Sequence, residues 1–379
     1  MKATEGIAHI ISEHQRWLTS SKKNGKRADL SGADLDGIDL SGIDLSAAVL
    51  KGASLRGANL SGTRLIHADL SDACLEAARL TRANLLLTDF TGADLRRADL
   101  SATTSEAADR ELGHMRRGPR FNDADLQEAD LRHSYCYISE FCGANLSGAH
   151  LSGAMLEGAN LSNNILVGVD FVATNLSGAD LQGSDLSSAN LKHATLIHAN
   201  LRNARLSDAD ISSANLQAAD LSDSKVDGIR YNRKTKFHGI RVASCYGSSR
   251  FRRFAQDQDF IEEFKTAYPL SYYIWLALTD CGRSITRVIM WCLVVLLLFG
   301  FIFFFLGEAA FTVLNRETLG WNLFTTMYFS VSTFTALGFG DFTPRTPLAT
   351  SLIMTEVIIG YLMLGIVISI LASKVARRS

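Results

Sequence analysis

The sequence predicts two architectures in one chain: a stack of short extended segments in the N-terminal half, and an α-helical membrane hairpin of two spans near the C-terminus. Three features carry the prediction. A five-residue period begins at Ala28-Asp29-Leu30-Ser31-Gly32 and puts Leu, or Phe at position 90, at every fifth place to Leu100. Two long apolar runs follow much later, Val288 to Gly307 without a charge and Thr350 to Ser373 with Glu356 alone. Each is long enough to cross a bilayer. Between them lies Gly338-Phe339-Gly340, where two glycines around one aromatic let the backbone turn its carbonyls repeatedly one way. A mixed, multidomain chain is expected.

Its 379 residues leave room for two or three domains. With 38 basic and 39 acidic residues, net charge points to no partner, but the distribution is uneven. Residues 28–228 hold 28 acids against 16 bases, whereas residues 229–256 hold eight bases and no acid. Six cysteines at unrelated spacings suggest neither a disulfide framework nor a zinc site. The polar N-terminus lacks the apolar core of a signal peptide. His9, His14 and His67 form no readable site with a nucleophile, and no phosphate-binding glycine loop occurs. Neither an enzyme nor a cofactor is expected.

In the first 27 residues, Ile7, Ile10, Ile11, His14 and Leu18 fall on one helical stripe. Such a helix either binds a protein or caps the open end of the stack that follows; repeat stacks need the cap. Lys22, Lys23, Lys26 and Arg27 then read as a connector. The period of five fits neither a helix nor simple strand alternation. It fits one short extended segment plus one turn, with Ala and Leu inward, and Asp or Asn and Ser-Gly outward. A second run starts at Ala124-Asp125-Leu126, one place out of register, and ends at Val226. The domain so defined is 28–228, interrupted at 101–123 by a charged stretch that either binds something or is a solvated excursion. Because the register changes there, it could equally kink the stack. This run resembles the pentapeptide-repeat family, with its A-(D/N)-L-x-x motif. The resemblance implies a right-handed quadrilateral β-helix of four repeats per coil. Its 36 repeats would make a rod on the order of 40 Å long at ~4.8 Å per coil.

Residues 229–286 read as a basic helical linker and interfacial segment. Arg250, Arg252 and Arg253, interleaved with Tyr231, Phe237, Phe251 and Phe254, suit anionic lipid head groups better than nucleic acid, and no nucleic acid is expected. Gln258 to Thr266 reads as a short helix, and Leu270 to Leu278 as an aromatic-rich interfacial stretch. Arg283 and Arg287 precede the first span, and Lys374, Arg377 and Arg378 follow the second. The loop between has no basic excess, so both termini and the repeats are expected on the cytoplasmic side of a cell (inner or plasma) membrane, that of a prokaryote.

The pore-like region, 287–379, has spans at about 288–307 and 350–373. Trp321 to Phe334 is helix-compatible but too short to cross, and runs straight into the stretch 335–341. A ring of such loops replaces a cation's hydration shell with carbonyls. The region resembles the two-helix potassium-channel pore family from Arg287 to Arg378. Gly338-Phe339-Gly340-Asp341 matches its G-(Y/F)-G-D filter, Phe342 to Leu348 its exit sequence, and Gly360, twenty residues after Gly340, its hinge glycine.

That resemblance implies a homotetramer with a re-entrant pore helix. Its filter is Thr335, Ala336, Leu337, Gly338, Phe339, Gly340 and Asp341, and carbonyls of residues 336–339 coordinate permeating K⁺. The family usually has Thr-Val where this chain has Ala336-Leu337, so the innermost ion site lacks its hydroxyl. A non-selective monovalent cation channel is the alternative. Asp341 is expected as an acidic ring at the outer mouth, and the resemblance implies that the same position also braces the filter from behind.

Glu356 is a functional candidate by default as an intramembrane carboxylate, either facing the cavity or bracing the filter from behind. Gly360, Ile368 and Ala372 are candidate gating or pore-lining residues, and Ile366, Ile368, Ile370 and Leu371 candidates for a hydrophobic constriction. No periodic arginine row suggests voltage sensing. Regulation is expected from the N-terminal side, where the repeats would meet an unidentified ligand or protein. From another class, the chain could be a membrane-anchored interaction protein, although an anchor has no need of Gly338, Gly340, Pro344 and Gly360 at these spacings.

Overall fold

The computed structural model describes residues 2–105, 118–314, 320–338 and 340–376, with backbone alone at 2–5 and 374–376. Two compact units divide the chain, Met1–Glu262 and Glu263–Ser379.

The first unit is a β-helix. Parallel bridges join Asp29 to Val49, Asp34 to Ser54, Asp39 to Asn59 and Asp44 to Arg64, and the same step of twenty recurs along the unit. One coil is therefore four five-residue repeats. Between adjacent coils, the Leu30 N–H donates to Val49 O at 2.7 Å, the Val49 N–H to Ala28 O at 3.0 Å and the Gly32 N–H to Lys51 O at 2.9 Å, so each side carries three bonds. The central Leu points inward and is buried, as is the Ala before it, except that Ala33, Ile38 and Ile43 of the first coil are only partly buried. Asp or Asn stands between them because its side chain closes the corner: Asp29 Oδ1 accepts from the Ser31 N–H at 3.1 Å, and Asp39 Oδ1 from Ser41 at 3.0 Å. The corner residue adopts φ near +60°, as at Gly32 (+63°), and Ala47 takes the same conformation at +61°.

Three expectations about this unit change. The interruption is shorter than 101–123, because Thr104 still bridges Asn84 and Arg120 already bridges Asp89. Thr103-Thr104-Ser105 and Pro119-Arg120-Phe121 are repeats without the usual letters. Phe121 stacks between Phe90 and Phe141 at 5.1 and 4.8 Å inside the coil. Nor is there a kink: Asp89, Asp94 and Asp99 bridge Arg120, Asp125 and Asp130 in unbroken order. Those partners lie 31 places apart instead of 20, so eleven extra residues leave at one corner, and the eleventh produces the register change. The binding reading of the insertion falls on residues 106–117, which lie outside the described residues.

The third change is at the far end. Bridges continue past Gly228, from Asn215 to Lys236, Asp220 to Arg241 and Lys225 to Tyr246. Residues 229–246, expected to open a helical linker, are another coil. Thr235-Lys236-Phe237 and Ile240-Arg241-Val242 keep the inward–outward–inward alternation, which is what the coil requires; Ala-Asp-Leu is only its commonest spelling.

Helices close both ends. Helix α1 (Lys2–Thr19) lays Ile7, Ile10 and Ile11 against the core. His14 is fully buried there, its Nδ1 accepting from the Ala28 N–H at 3.1 Å, and Gln15 Nε2 donates to Asp44 O at 2.6 Å. Gly25 closes the turn after α1, where a Cβ would overlap the Glu13 carbonyl. At the other end the first turns of α2 (Ser249–Ala267) bury Phe251 and Ala255 in the same core, with Tyr231 and Phe237 edge-on to Phe251.

In the second unit, α3 (Pro269–Thr279) turns sharply into α4 (Ile285–Leu306). Arg287 Nη1 donates to Leu276 O at 3.0 Å and Trp291 Nε1 to Ala277 O at 3.2 Å, closing that elbow. After α4 come strand β1 (Phe311–Val313), helix α5 (Leu323–Phe334), strand β2 (Phe342–Pro344) and helix α6 (Pro347–Ala376). Helix α4 and residues Pro347–Ser373 of α6 are long and apolar enough to cross a membrane. Twelve residues give α5 a length of about 18 Å, well short of a ~30 Å hydrocarbon core. Strands β1 and β2 pair antiparallel, Phe311 opposite Pro344. Phe303, Phe311, Phe329 and Phe342 pack together beneath that clip.

Candidate functional site

Helix α5 starts abruptly because Asn322 caps it. The Asn322 side chain accepts from the Thr325 N–H at 2.9 Å, and Thr325 Oγ1 accepts from the Asn322 N–H at 3.0 Å. It ends at Thr335, whose hydroxyl donates back to Val331 O at 2.7 Å. Beyond it, Ala336 (φ +54°), Gly338 (+53°) and Gly340 (+77°) all take left-handed backbone. Phe339 lies outside the described residues. Left-handed conformation at alternate positions is what a chain needs to turn successive peptide planes the same way, and it explains both glycines. Ala336 adopts it against its own Cβ, at a cost of roughly 1–2 kcal/mol. Leu337 is 63% exposed on the single chain.

Asp341 is tied down on both sides. Tyr328 of α5 donates to its Oδ2 at 3.0 Å, and its carbonyl accepts from the Leu314 N–H at 3.0 Å. The two bonds hold Asp341 to α5 and to the segment that follows β1. An open cleft of about 320 Å³ runs beside the stretch, lined by Tyr328, Thr333, Ala336, Gly338, Asp341 and Val357 among others.

Glu356 faces inward. It is 0% exposed on the single chain, so further copies could only cover it more, and it stands apart from the lining of that cleft. Its Oε1 lies 2.5 Å from Ser330 Oγ of α5, and Ser330 Oγ lies 2.9 Å from Leu296 O of α4. One turn on, a Cβ at Gly360 would overlap the Phe334 carbonyl, so the glycine admits α6 against the end of α5. Close approach, with no bend required, accounts for this glycine. Gly300 of α4 has a similar duty, since a Cβ there would overlap Met327. Neither Gly300 nor Ser330 stands out in the sequence. The available signal was a lone glycine in the apolar α4 and one of two serines in α5.

The remaining candidates scatter. Ile368 is 57% exposed and Ala372 is exposed on the same stripe of α6, whereas Ile370 is buried and Ile366 packs with it in a cluster containing Val288. The four expected constriction residues therefore do not share a face. In the basic stretch, Arg250 and Arg253 are exposed, but Arg252 Nη1 donates to Cys245 O at 3.1 Å and secures α2 to the last coil.

Residues 277–377 match the family described as Ion channel. Pentapeptide repeats, in eight copies, match in overlapping windows between residues 26 and 104 and between 120 and 223. No curated protein matches the chain. Among solved structures, HetL, a pentapeptide repeat protein involved in heterocyst differentiation regulation in Nostoc sp. strain PCC 7120, is 28% identical. That alignment covers 61% of this chain and 94% of HetL, with a TM-score of 0.31. Rfr23 from Cyanothece 51142, another pentapeptide repeat protein, is 24% identical over 39% of this chain and 90% of its own, at a TM-score of 0.18. The chain thus joins an N-terminal run of pentapeptide repeats to a C-terminal domain of the ion-channel family.

Proposed function

We propose that this protein is one subunit of a tetrameric cation channel that conducts K⁺, with a right-handed quadrilateral repeat rod as its cytoplasmic regulatory or docking domain. One observation carries the reading. A helix too short to span, held between two spanning helices, ends directly in a backbone with left-handed residues at 336, 338 and 340, closed on its far side by a braced Asp341. Such a helix enters the membrane part-way and points its C-terminal dipole at a cation. Non-helical backbone at that depth is tolerated where it lines a water path. A single hairpin cannot surround an ion, whereas four about an axis can.

Conduction without K⁺ selectivity is the second reading, and Ala336 favours it. No hydroxyl stands at that position, and the neighbouring Thr335 hydroxyl is bonded to Val331 O. The basic flanks of both spans support a cytoplasmic rod. Exposed Arg250 and Arg253 support contact with anionic lipid.

Purified protein in potassium-loaded liposomes tests the proposal. Cation flux is expected, and Gly338→Ala or Gly340→Ala should abolish it while leaving the repeat unit folded. Flux that survives both substitutions leaves the membrane-anchored interaction protein as the better reading. Reversal potentials in mixed K⁺ and Na⁺ decide between the two channel readings.

A further inference from the structure

We infer that Glu356 is the positioning residue of the pore helix and works as a hydrogen-bond donor, relaying through Ser330 to the backbone of α4. This rests on the channel reading and assigns a role within it. Ser330 Oγ has two short contacts, 2.5 Å to Glu356 Oε1 and 2.9 Å to Leu296 O. A hydroxyl owns one proton and two lone pairs, and a carbonyl oxygen only accepts. With the Ser330 proton given to Leu296 O, the contact with Glu356 is a hydrogen bond only if the carboxyl supplies the proton.

The other carboxyl oxygen, Oε2, is buried with no hydrogen-bond partner among the described residues. Those surroundings suit the carbonyl oxygen of an acid, because an unpaired buried carboxylate oxygen is far more costly. No charged side chain within the three apolar stretches around it offsets one. Between Val288 and Leu306, along α5, and between Pro347 and Ser373, Glu356 is the sole charged type.

Spacing gives the relay its consequence. Glu356 meets Ser330, and Gly360, four residues on, meets Phe334, four residues on from Ser330. Two points one helical turn apart thus fix α5 on α6 in both position and rotation, while Leu296 fixes it on α4. Thr335 follows Phe334 directly, so the backbone at Ala336, Gly338 and Gly340 takes its starting point from this seat.

The test compares Glu356→Gln, which keeps an N–H donor, with Glu356→Ala and Ser330→Ala, which break the relay. Channels in liposomes report unitary conductance and the K⁺/Na⁺ permeability ratio, and hydrogen exchange over residues 323–334 reports the hold on α5. Exchange should rise roughly tenfold in both alanine variants, with the permeability ratio drifting toward one, and Gln should restore both. The inference is overturned if Gln lowers conductance as much as Ala while α5 exchange stays at the wild-type level, the signature of a cavity charge. Should Glu356→Ala fail to fold, Ser330→Ala and Glu356→Gln still give opposite expectations. If wild-type protein passes no cation, the channel reading falls. Exchange then decides the relay separately, and equal protection in Ser330→Ala and wild type would sink it.

Discussion

In the repeat unit every coil makes the bonds its neighbours make. In the membrane unit each decisive contact occurs once. Leu151, for example, has Leu131 at the equivalent place one coil before it and Phe171 one coil after, all three buried. The N–H of each donates to the next coil in the same way, Leu131 to His150 O, Leu151 to Asp170 O and Phe171 to Asn190 O. Ser330, Glu356, Gly300 and Gly360 have no such copies, and α5 keeps its place through those four residues and the aromatic cluster. A stack tolerates an unusual letter, as at Thr103-Thr104-Ser105 or Thr235-Lys236-Phe237, because neighbouring coils already impose the geometry. A helix held at single points has no such averaging.

The contrast should be sharpest at Gly360. Replacement by Val puts a branched side chain into the Phe334 carbonyl, and backbone at a helix end cannot move aside. Loss of cation flux and of a folded membrane unit is expected, with the far-ultraviolet signal of the β-helix unchanged. In the repeat unit, Phe121→Ala opens a cavity between Phe90 and Phe141 and should cost about 3–5 kcal/mol locally. The expectation is a lower midpoint for the repeat unit in denaturant, with the coils far from it still protected from hydrogen exchange. Global collapse of the stack would break the comparison.

Gly300→Ala should be milder than Gly360→Val, about 1–3 kcal/mol by overpacking, because the Met327 side chain can shift. Thermal unfolding of the membrane unit measures it.

The smallest effect concerns α1. Burial holds the His14 imidazole below its ordinary value, against the opposing pull of Asp44 and with Arg27 acting the same way as burial. A depressed value means that neutral His14 favours docking. The contribution is full above the ordinary histidine value and is lost as pH falls through the lowered one. Protonation would also set an N–H at Nδ1 against the Ala28 N–H. Fluorescence of Trp17, which stacks on His14, should report α1 loosening in acid, and His14→Asn should remove the pH dependence. A cap insensitive to pH would show that the Ile7, Ile10 and Ile11 contacts alone suffice.

Sequence pattern made much of this visible, and the failures have identifiable causes. The five-residue period located the coil, yet its true extent ran past Gly228 and into both ends of the predicted interruption. Coil formation needs inward and outward alternation with a closable corner, and Phe121, Phe237 and Val242 satisfy that without the Ala-Asp-Leu spelling. The short helix before the glycines was legible from Trp321 to Phe334 and begins at Leu323, where Asn322 caps it. The aromatics among the basic residues serve the end of the coil: Phe251 packs on Tyr231 and Phe237 of the last coil, and Arg252 is bonded to it.

By itself the sequence determined the repeat coil, the two apolar helices and the glycine stretch between them, since each is written as a local period, a local run or a local motif. Tertiary structure alone decided what Glu356 and Gly360 meet. Both could have faced a cavity or bent a helix, and helical periodicity places them on one face without saying what that face meets. The answer came from α5, whose Ser330 and Phe334 stand 26 residues earlier in the chain, at the same spacing as Glu356 and Gly360.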